Sequence, residues 1–179
     1  MLSTEKTVLL IIDVQEKLTR VMADKESLVV NLQKLIKGAK VLGLPLLLTE
    51  QYPQGLGATI LEVISLLPEI KPLAKMSFNC CDDLKFLEKL KSLKRKQVLV
   101  TGIESHVCVY QTASALLGLG YEVQVVADCV CSRAKENKNI AIEKMRDMGV
   151  SITSTEIALF ELLKTAENKN FKDISLIVK

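Results

Sequence analysis

The chain has 179 residues, 49% of them apolar and 25% charged, with a net charge of +3. That balance is that of an ordinary globule, and a chain this long buries roughly two thirds of its extended-chain surface, so one domain spanning residues 1–179 is expected. The mild charge, with lysines spread over several segments and no aromatic-basic interleaving, gives no footing for a nucleic-acid partner.

In chain order the first element is "TVLLIID" (Thr7 to Asp13), a continuous apolar run that predicts a strand covered on both faces. "LVVNLQKLIKGAKVLG" (Leu28 to Gly43) repeats apolar residues at helical spacing and stops at a glycine. "LPLLLTE" predicts a second buried strand, followed by a Gly- and Pro-rich loop, "QYPQGLGAT", and a weak helix over Ile60 to Leu67. "PLAKMSFN" predicts a third strand or strand edge, and "DDLKFLEKLKSL" an amphipathic helix. "KQVLVTGI" is strand four, "QTASALLGLG" a helix, and "YEVQVVAD" strand five. "KENKNIAIEKMRDMG" is helical, "VSITS" is strand six, and "TEIALFELL" is helical again, with Thr153 and Glu156 spaced as a capping box. "NFKDISLIVK" predicts a last short helix. Strands alternating with helices imply parallel βαβ units: a three-layer αβα fold with a six-stranded parallel sheet, helices on both faces.

In such sheets the ligand crevice lies outside the carboxyl ends of the strands. Those ends carry Asp13, then Glu50, Gln51 and Tyr52, then Lys75 in or beside strand three, the turn "GIESHVC", and "DCVCSR". Singly each has an ordinary explanation. A strand-end aspartate caps turns, a lysine at a strand edge snorkels, and Cys108 alone reads as a small buried hydrophobe. Together they suggest chemistry. A thiolate is the reactive form of cysteine; a helix N-terminus and a nearby lysine both favour it, and a carboxylate can carry its proton.

Other chemistries are pruned early. His106 is the single histidine, which excludes zinc sites built on two or three histidines and any HExxH helix. Cys80-Cys81 and Cys129-x-Cys131 lack C-x-x-C spacing. Neither a metal nor a cofactor is expected. No apolar run reaches the ~18 residues of a membrane span. "MLSTEKTVLLIIDVQ" lacks a basic lead and a small-residue cleavage site. Five cysteines without scaffold spacing suit a reducing compartment. The cytoplasm is the default, with an organelle matrix the alternative.

The segments "LLIIDVQ", "LLLTEQYPQGLG", "AKMSFNC", "VLVTGIESHVCVYQTA", "VVADCVCSR" and "ITSTEIALFEL" resemble, in order, those of the isochorismatase-like cysteine hydrolases. Within that superfamily the chain is most similar to the isochorismatase domain-containing proteins, and the resemblance runs over nearly its whole length. It implies an Asp-Lys-Cys triad at Asp13, Lys75 and Cys108. It also implies a non-proline cis peptide between Ile103 and Glu104, with the backbone N–H groups of Glu104 and Cys108 as an oxyanion hole. Two departures narrow the expectation. The histidines that hold the metal of related nicotinamidases are missing from "TEQYPQGLG". Where true isochorismatases have "AHxG", this chain has "SHVC", keeping His106 as a turn or interface residue and placing a cysteine at the reactive position.

The resulting expectation is hydrolysis of a small amide or related acyl compound through a Cys108 thioester. Gln51, Tyr52 and Phe78 are candidate substrate contacts by strand-end position. An aromatic content of 4% without tryptophan points to a small substrate rather than a large flat one. The resemblance implies a homodimer or larger homo-oligomer. A silent binding module of the same fold and a redox-active thiol protein are the alternatives.

Overall fold

The computed structural model describes residues 1–179. Six strands form one all-parallel sheet: β1 (Thr7–Ile12), β2 (Leu46–Gln51), β3 (Leu73–Lys75), β4 (Gln97–Ile103), β5 (Glu122–Cys131) and β6 (Ser151–Thr153). Their spatial order is β3-β2-β1-β4-β5-β6. β1 therefore lies between β2 and β4, with Ile12 registered against Thr49 on one side and Gly102 on the other. Every residue of β1 is buried, because successive side chains enter cores on opposite faces.

Leu9 and Ile11 pack with Leu28, Leu32, Leu35 and Ile36 of α2 (Lys25–Val41) and with Leu159 and Leu162 of α8 (Thr155–Leu163). Val8, Leu10 and Ile12 pack with Phe86 and Leu90 of α5 (Leu84–Ser92), Ala113 and Leu116 of α6 (Tyr110–Gly118), and Met145 of α7 (Lys135–Asp147). The closing α9 (Phe171–Val178) buries Ile174 in the α2 face of the core. No helix is long and apolar enough to cross a membrane.

The departures from the sequence reading are local. β1 ends at Ile12, because Asp13 takes a left-handed φ of 54°. The third strand is only Leu73–Lys75, an edge strand paired to β2 alone. The Gly/Pro-rich loop contains a helical turn, α3 (Pro53–Leu56), after the turn α1 (Glu16–Thr19), and the weak helix contracts to α4 (Leu61–Ile64). The capping box at Thr153 and Glu156 does not form. Thr153 is the last residue of β6, its hydroxyl without a partner; Ser154 caps α8 instead, accepting the Ile157 N–H at 3.3 Å.

Candidate active site

The turn from β1 places a buried carboxylate beside β2 and β3. Gln15 N–H donates to Asp13 O at 2.8 Å, so the chain folds back as soon as the strand ends. Asp13 is fully buried and both carboxylate oxygens are engaged. Thr49 Oγ1 donates to Oδ1 at 2.7 Å, and Lys75 Nζ donates to Oδ2 at 2.7 Å. The ammonium of Lys75 also meets Gln51 Oε1 at 2.7 Å and the carbonyls of Ser77 and Phe78 at 3.1 and 3.4 Å. Three N–H bonds facing four acceptors leave the cation no free donor. Burial pulls the Lys75 pKa down, but Asp13 foremost, with Cys80 and Cys108, outweighs it and the pKa is raised.

Cys108 comes from the other side of β1. β4 ends in a cis peptide between Ile103 and Glu104. A π-helical turn over Ser105–Val109 then leads into α6. Cys108 is 6% exposed and shares the core face of Ile12, Cys80 and Val109. Its thiol is pushed well up from the ordinary cysteine range, first by burial and then by the Asp13 charge, which together outweigh the opposing pull of Lys75. This corrects the expectation that a helix start and a lysine would lower the thiol pKa. Burial and the carboxylate win, and at rest the sulfur is a thiol.

The turn is also held by Glu104 and His106. Glu104 Oε2 accepts the Arg133 backbone N–H at 2.9 Å and Nε at 3.1 Å, while His106 Nδ1 lies 3.0 Å from Ser132 Oγ. His106 thus ties the turn after β4 to the residue that follows β5, which agrees with its reading as a turn residue. The N–H of Glu104 donates to no atom of the protein.

Gln51 is buried, with Oε1 accepting from Lys75 Nζ and Nε2 donating to Met76 O at 2.7 Å, so these two bonds tie its amide to β3 and the residue after it. Tyr52 and Phe78 are half exposed and stand next to the lysine: Tyr52 N–H donates to Lys75 O, and Phe78 O accepts from Nζ. A cleft of about 390 Å³ between Pro53, Gln54, Ala74, Met76 and Ser77 reaches Lys75.

Sequence reading missed Gln15, Thr49 and Cys80. Gln15 is fully buried and bonds the backbone of Gln51. Cys80 Sγ lies 4.0 Å from Thr49 Oγ1, and its N–H donates to Thr112 Oγ1 at 3.0 Å. The strand-end rule that found Asp13 and Gln51 covers Gln15 equally, two residues after the aspartate. Thr49 and Cys80 carry no comparable signal.

The all-parallel sheet thus brings a buried carboxylate, a lysine and a cysteine to the strand ends around β1. Residues 7–157 match the isochorismatase domain family. The chain is 37% identical over 178 residues to isochorismatase domain-containing protein 2 of Danio rerio, covering 99% of this chain and 89% of that one. The solved MAR1 ribonuclease of Caenorhabditis elegans superposes with a TM-score of 0.93 at 31% identity, covering 99% and 91% of the two chains. The YcaC gene product of Escherichia coli, described as an octameric hydrolase of unknown specificity, superposes at 0.93 with 23% identity over 98% and 88%, a likeness of fold. This chain belongs to the isochorismatase-like hydrolase family.

Proposed function

We propose that the chain is a cysteine hydrolase cleaving a small amide or related acyl compound. The observation that carries this is the buried convergence of Asp13, Lys75 and Cys108 around the end of β1. At rest the negative charge sits on Asp13 and the proton on sulfur. Moving that proton to Asp13 transfers the charge to Cys108, and the field of Lys75 then stabilises the thiolate instead of the carboxylate. A raised resting thiol pKa is compatible with this internal transfer, because the net charge of the three groups does not change.

The thiolate attacks the carbonyl carbon, and the oxyanion takes hydrogen bonds from the N–H groups of Glu104 and Cys108. The uncommitted Glu104 N–H supports that role, and such a donor is typically worth about 3–4 kcal/mol. Asp13 returns its proton to the leaving amine as the C–N bond breaks. Water deprotonated by Asp13 then opens the thioester and releases the acid. The triad is 0–6% exposed, which suits a small acyl group better than a polymer such as the RNA named for the nematode relative. A redox role has less support, since Cys80, Cys81, Cys108 and Cys129 are all held on the protonated side. Half-exposed Tyr52 and Phe78 remain candidate substrate contacts, and we infer a homo-oligomer in the cytoplasm, the former checked by light scattering.

The test is a pre-steady-state burst with p-nitrophenyl acetate, together with mass spectrometry of the quenched protein. An acetyl group on Cys108, absent in Cys108→Ala and hydrolysed at least a hundredfold more slowly in Asp13→Asn, is the expected result. A full burst in folded Cys108→Ala would end the proposal.

A further inference from the structure

We propose that Gln15 is a positioning residue, whose carboxamide joins the mouth loop over residues 52–57 to the catalytic lysine. Its side chain is fully buried and makes three hydrogen bonds. Oε1 accepts the Gln51 N–H at 2.8 Å, and Nε2 donates to Gln51 O at 3.0 Å and to Gly57 O at 2.7 Å. One amide thereby grips both backbone polar groups of Gln51, as a neighbouring strand would, and the end of the loop as well.

What Gln51 does next gives the grip its purpose. Its own side chain holds Lys75 Nζ at 2.7 Å and the Met76 carbonyl at 2.7 Å. A continuous series of hydrogen bonds therefore runs from Gly57 through Gln15 and Gln51 to Lys75, and from there to Asp13. The loop that the series anchors begins at Tyr52, which is half exposed and has a left-handed φ of 38°. Its other end is Gly57, at φ 84°. β2 stops at Gln51, and after the Tyr52 N–H bond to Lys75 O the loop has no further bond to β3. The side chain of Gln15 holds its far end at Gly57, beside the backbone bonds of Glu16 N–H to Ala58 O and Ile60 N–H to Val14 O.

The geometry also separates Gln15 from a substrate contact. Both ends of its amide are committed inside the protein, so its effect on reaction is indirect, through Lys75 and through the loop that begins at Tyr52. A displacement of the mouth loop by substrate would reach the ammonium by the same route. Because the resting ammonium has no spare donor, its orientation is set entirely by these acceptors.

The importance of Lys75 for reaction rests on the function proposed above, whereas its positioning by Gln15 can be read without chemistry. Proton exchange of the Lys75 ammonium is measured by NMR on 15N-lysine protein, the signal being assigned by its loss in Lys75→Gln. In Gln15→Met, and in Gln15→Glu if the methionine variant does not fold, that exchange is expected to speed up by roughly tenfold, the effect of losing a hydrogen bond to a group that holds a charge. Gln51→Met is expected to do the same, and the double variant no more than either alone. A folded variant at Gln15 that lowers the melting temperature but leaves Lys75 exchange unchanged overturns the proposal. The p-nitrophenyl acetate burst is followed in the same samples. Accelerated exchange in a protein whose wild type shows no Cys108-dependent burst supports the positioning role and counts against the hydrolase reading alone.

Discussion

Asp13 and Lys75 meet at 2.7 Å with side chains 0% and 1% exposed, and they lie 62 residues apart in the chain. Each removes the principal cost of burying the other, since an unpaired charge in this position would carry an uncompensated desolvation penalty. The pair also holds β3 at the edge of the sheet against the end of β1, because β3 itself contributes only three residues.

Removing both partners is therefore expected to cost less than the sum of removing each. Lys75→Met should destabilise the protein by roughly 3–5 kcal/mol. Asp13→Asn combined with Lys75→Met should cost less than the sum of the singles by about 1–3 kcal/mol. Urea denaturation of the four proteins gives the cycle. Strict additivity would show that the two charges are solvated independently.

The thiols make a prediction about alkali. Burial pushes Cys80 up to about 11, against an ordinary thiol near ~8.5. A raised folded pKa means that the unfolded chain releases this proton first. Stability from the protonated thiol is complete below about pH 8.5 and is lost as pH climbs toward 11. Cys80→Ala should flatten the fall in denaturation free energy across that window, removing on the order of 2–3 kcal/mol of its depth. An unchanged slope would show that Cys80 ionises in the fold as easily as in the open chain.

Cys108 answers a sharper question. Its thiol is raised by burial and by Asp13, so iodoacetamide at pH 7 should label it no faster than a thiol peptide, with the rate rising on through pH 9–10. Asp13→Asn removes the opposing charge and leaves Lys75 acting on the sulfur, so labelling at pH 8 should accelerate, by roughly tenfold. Fast labelling below pH 7 in the wild type would mean a thiolate held at rest, contrary to the geometry.

These contrasts mark what the sequence could reveal. The apolar runs of β1, β2 and β4 were legible because a strand buried on both faces has no polar gaps, and Asp13 and Cys108 were legible as residues at strand ends. Lys75 was legible as an oddity between apolar neighbours. Its four acceptors were not, because Ser77 O, Phe78 O and the Gln51 amide converge only after β3 docks on β2. The thiol pKa was misjudged first because the depth at which Cys108 is buried is not legible in the spacing, and second because of Asp13. A lysine near a cysteine favours the thiolate only while no closer anion claims the cation, and sequence spacing does not show that Asp13 claims it.

The cap of α8 separates two adjacent hydroxyls. Ser154 accepts the Ile157 N–H at 3.3 Å, whereas Thr153 Oγ1 is buried without a partner. Ser154→Ala should cost about 0.5–1 kcal/mol. Thr153→Val, which replaces an unsatisfied hydroxyl with a methyl group of similar size, should be neutral or stabilising. Thermal unfolding of both variants decides between this arrangement and the capping box suggested by spacing, which would make Thr153 the costly substitution.

At Gly102 the backbone of β4 passes close against the end of β1. The glycine has a φ of 109° and pairs with Ile12, and a Cβ built there would lie 2.0 Å from Ile12 O and 2.6 Å from Ile12 N. Those are backbone atoms one residue before Asp13, so no side chain can swing away to make room. At the same point the β4–β5 register shifts, between Val100 and Gly102, and the turn carrying Cys108 begins three residues later, at Ser105. Alanine at position 102 must therefore push β4 from β1, separating Cys108 from Asp13 as it does so. Gly102→Ala is expected to destabilise by roughly 3–5 kcal/mol, through a backbone clash and a left-handed conformation together. Any protein recovered in folded form should also lose the Cys108-dependent burst. Gly118→Ala is the control: that glycine lies within α6 with open space around its would-be Cβ, and alanine there should be neutral or stabilising by up to about 1 kcal/mol. Equal stability for the two variants in chemical denaturation would show that β1 and β4 have slack at the crossing, and that their close approach does not set the distance between carboxylate and thiol.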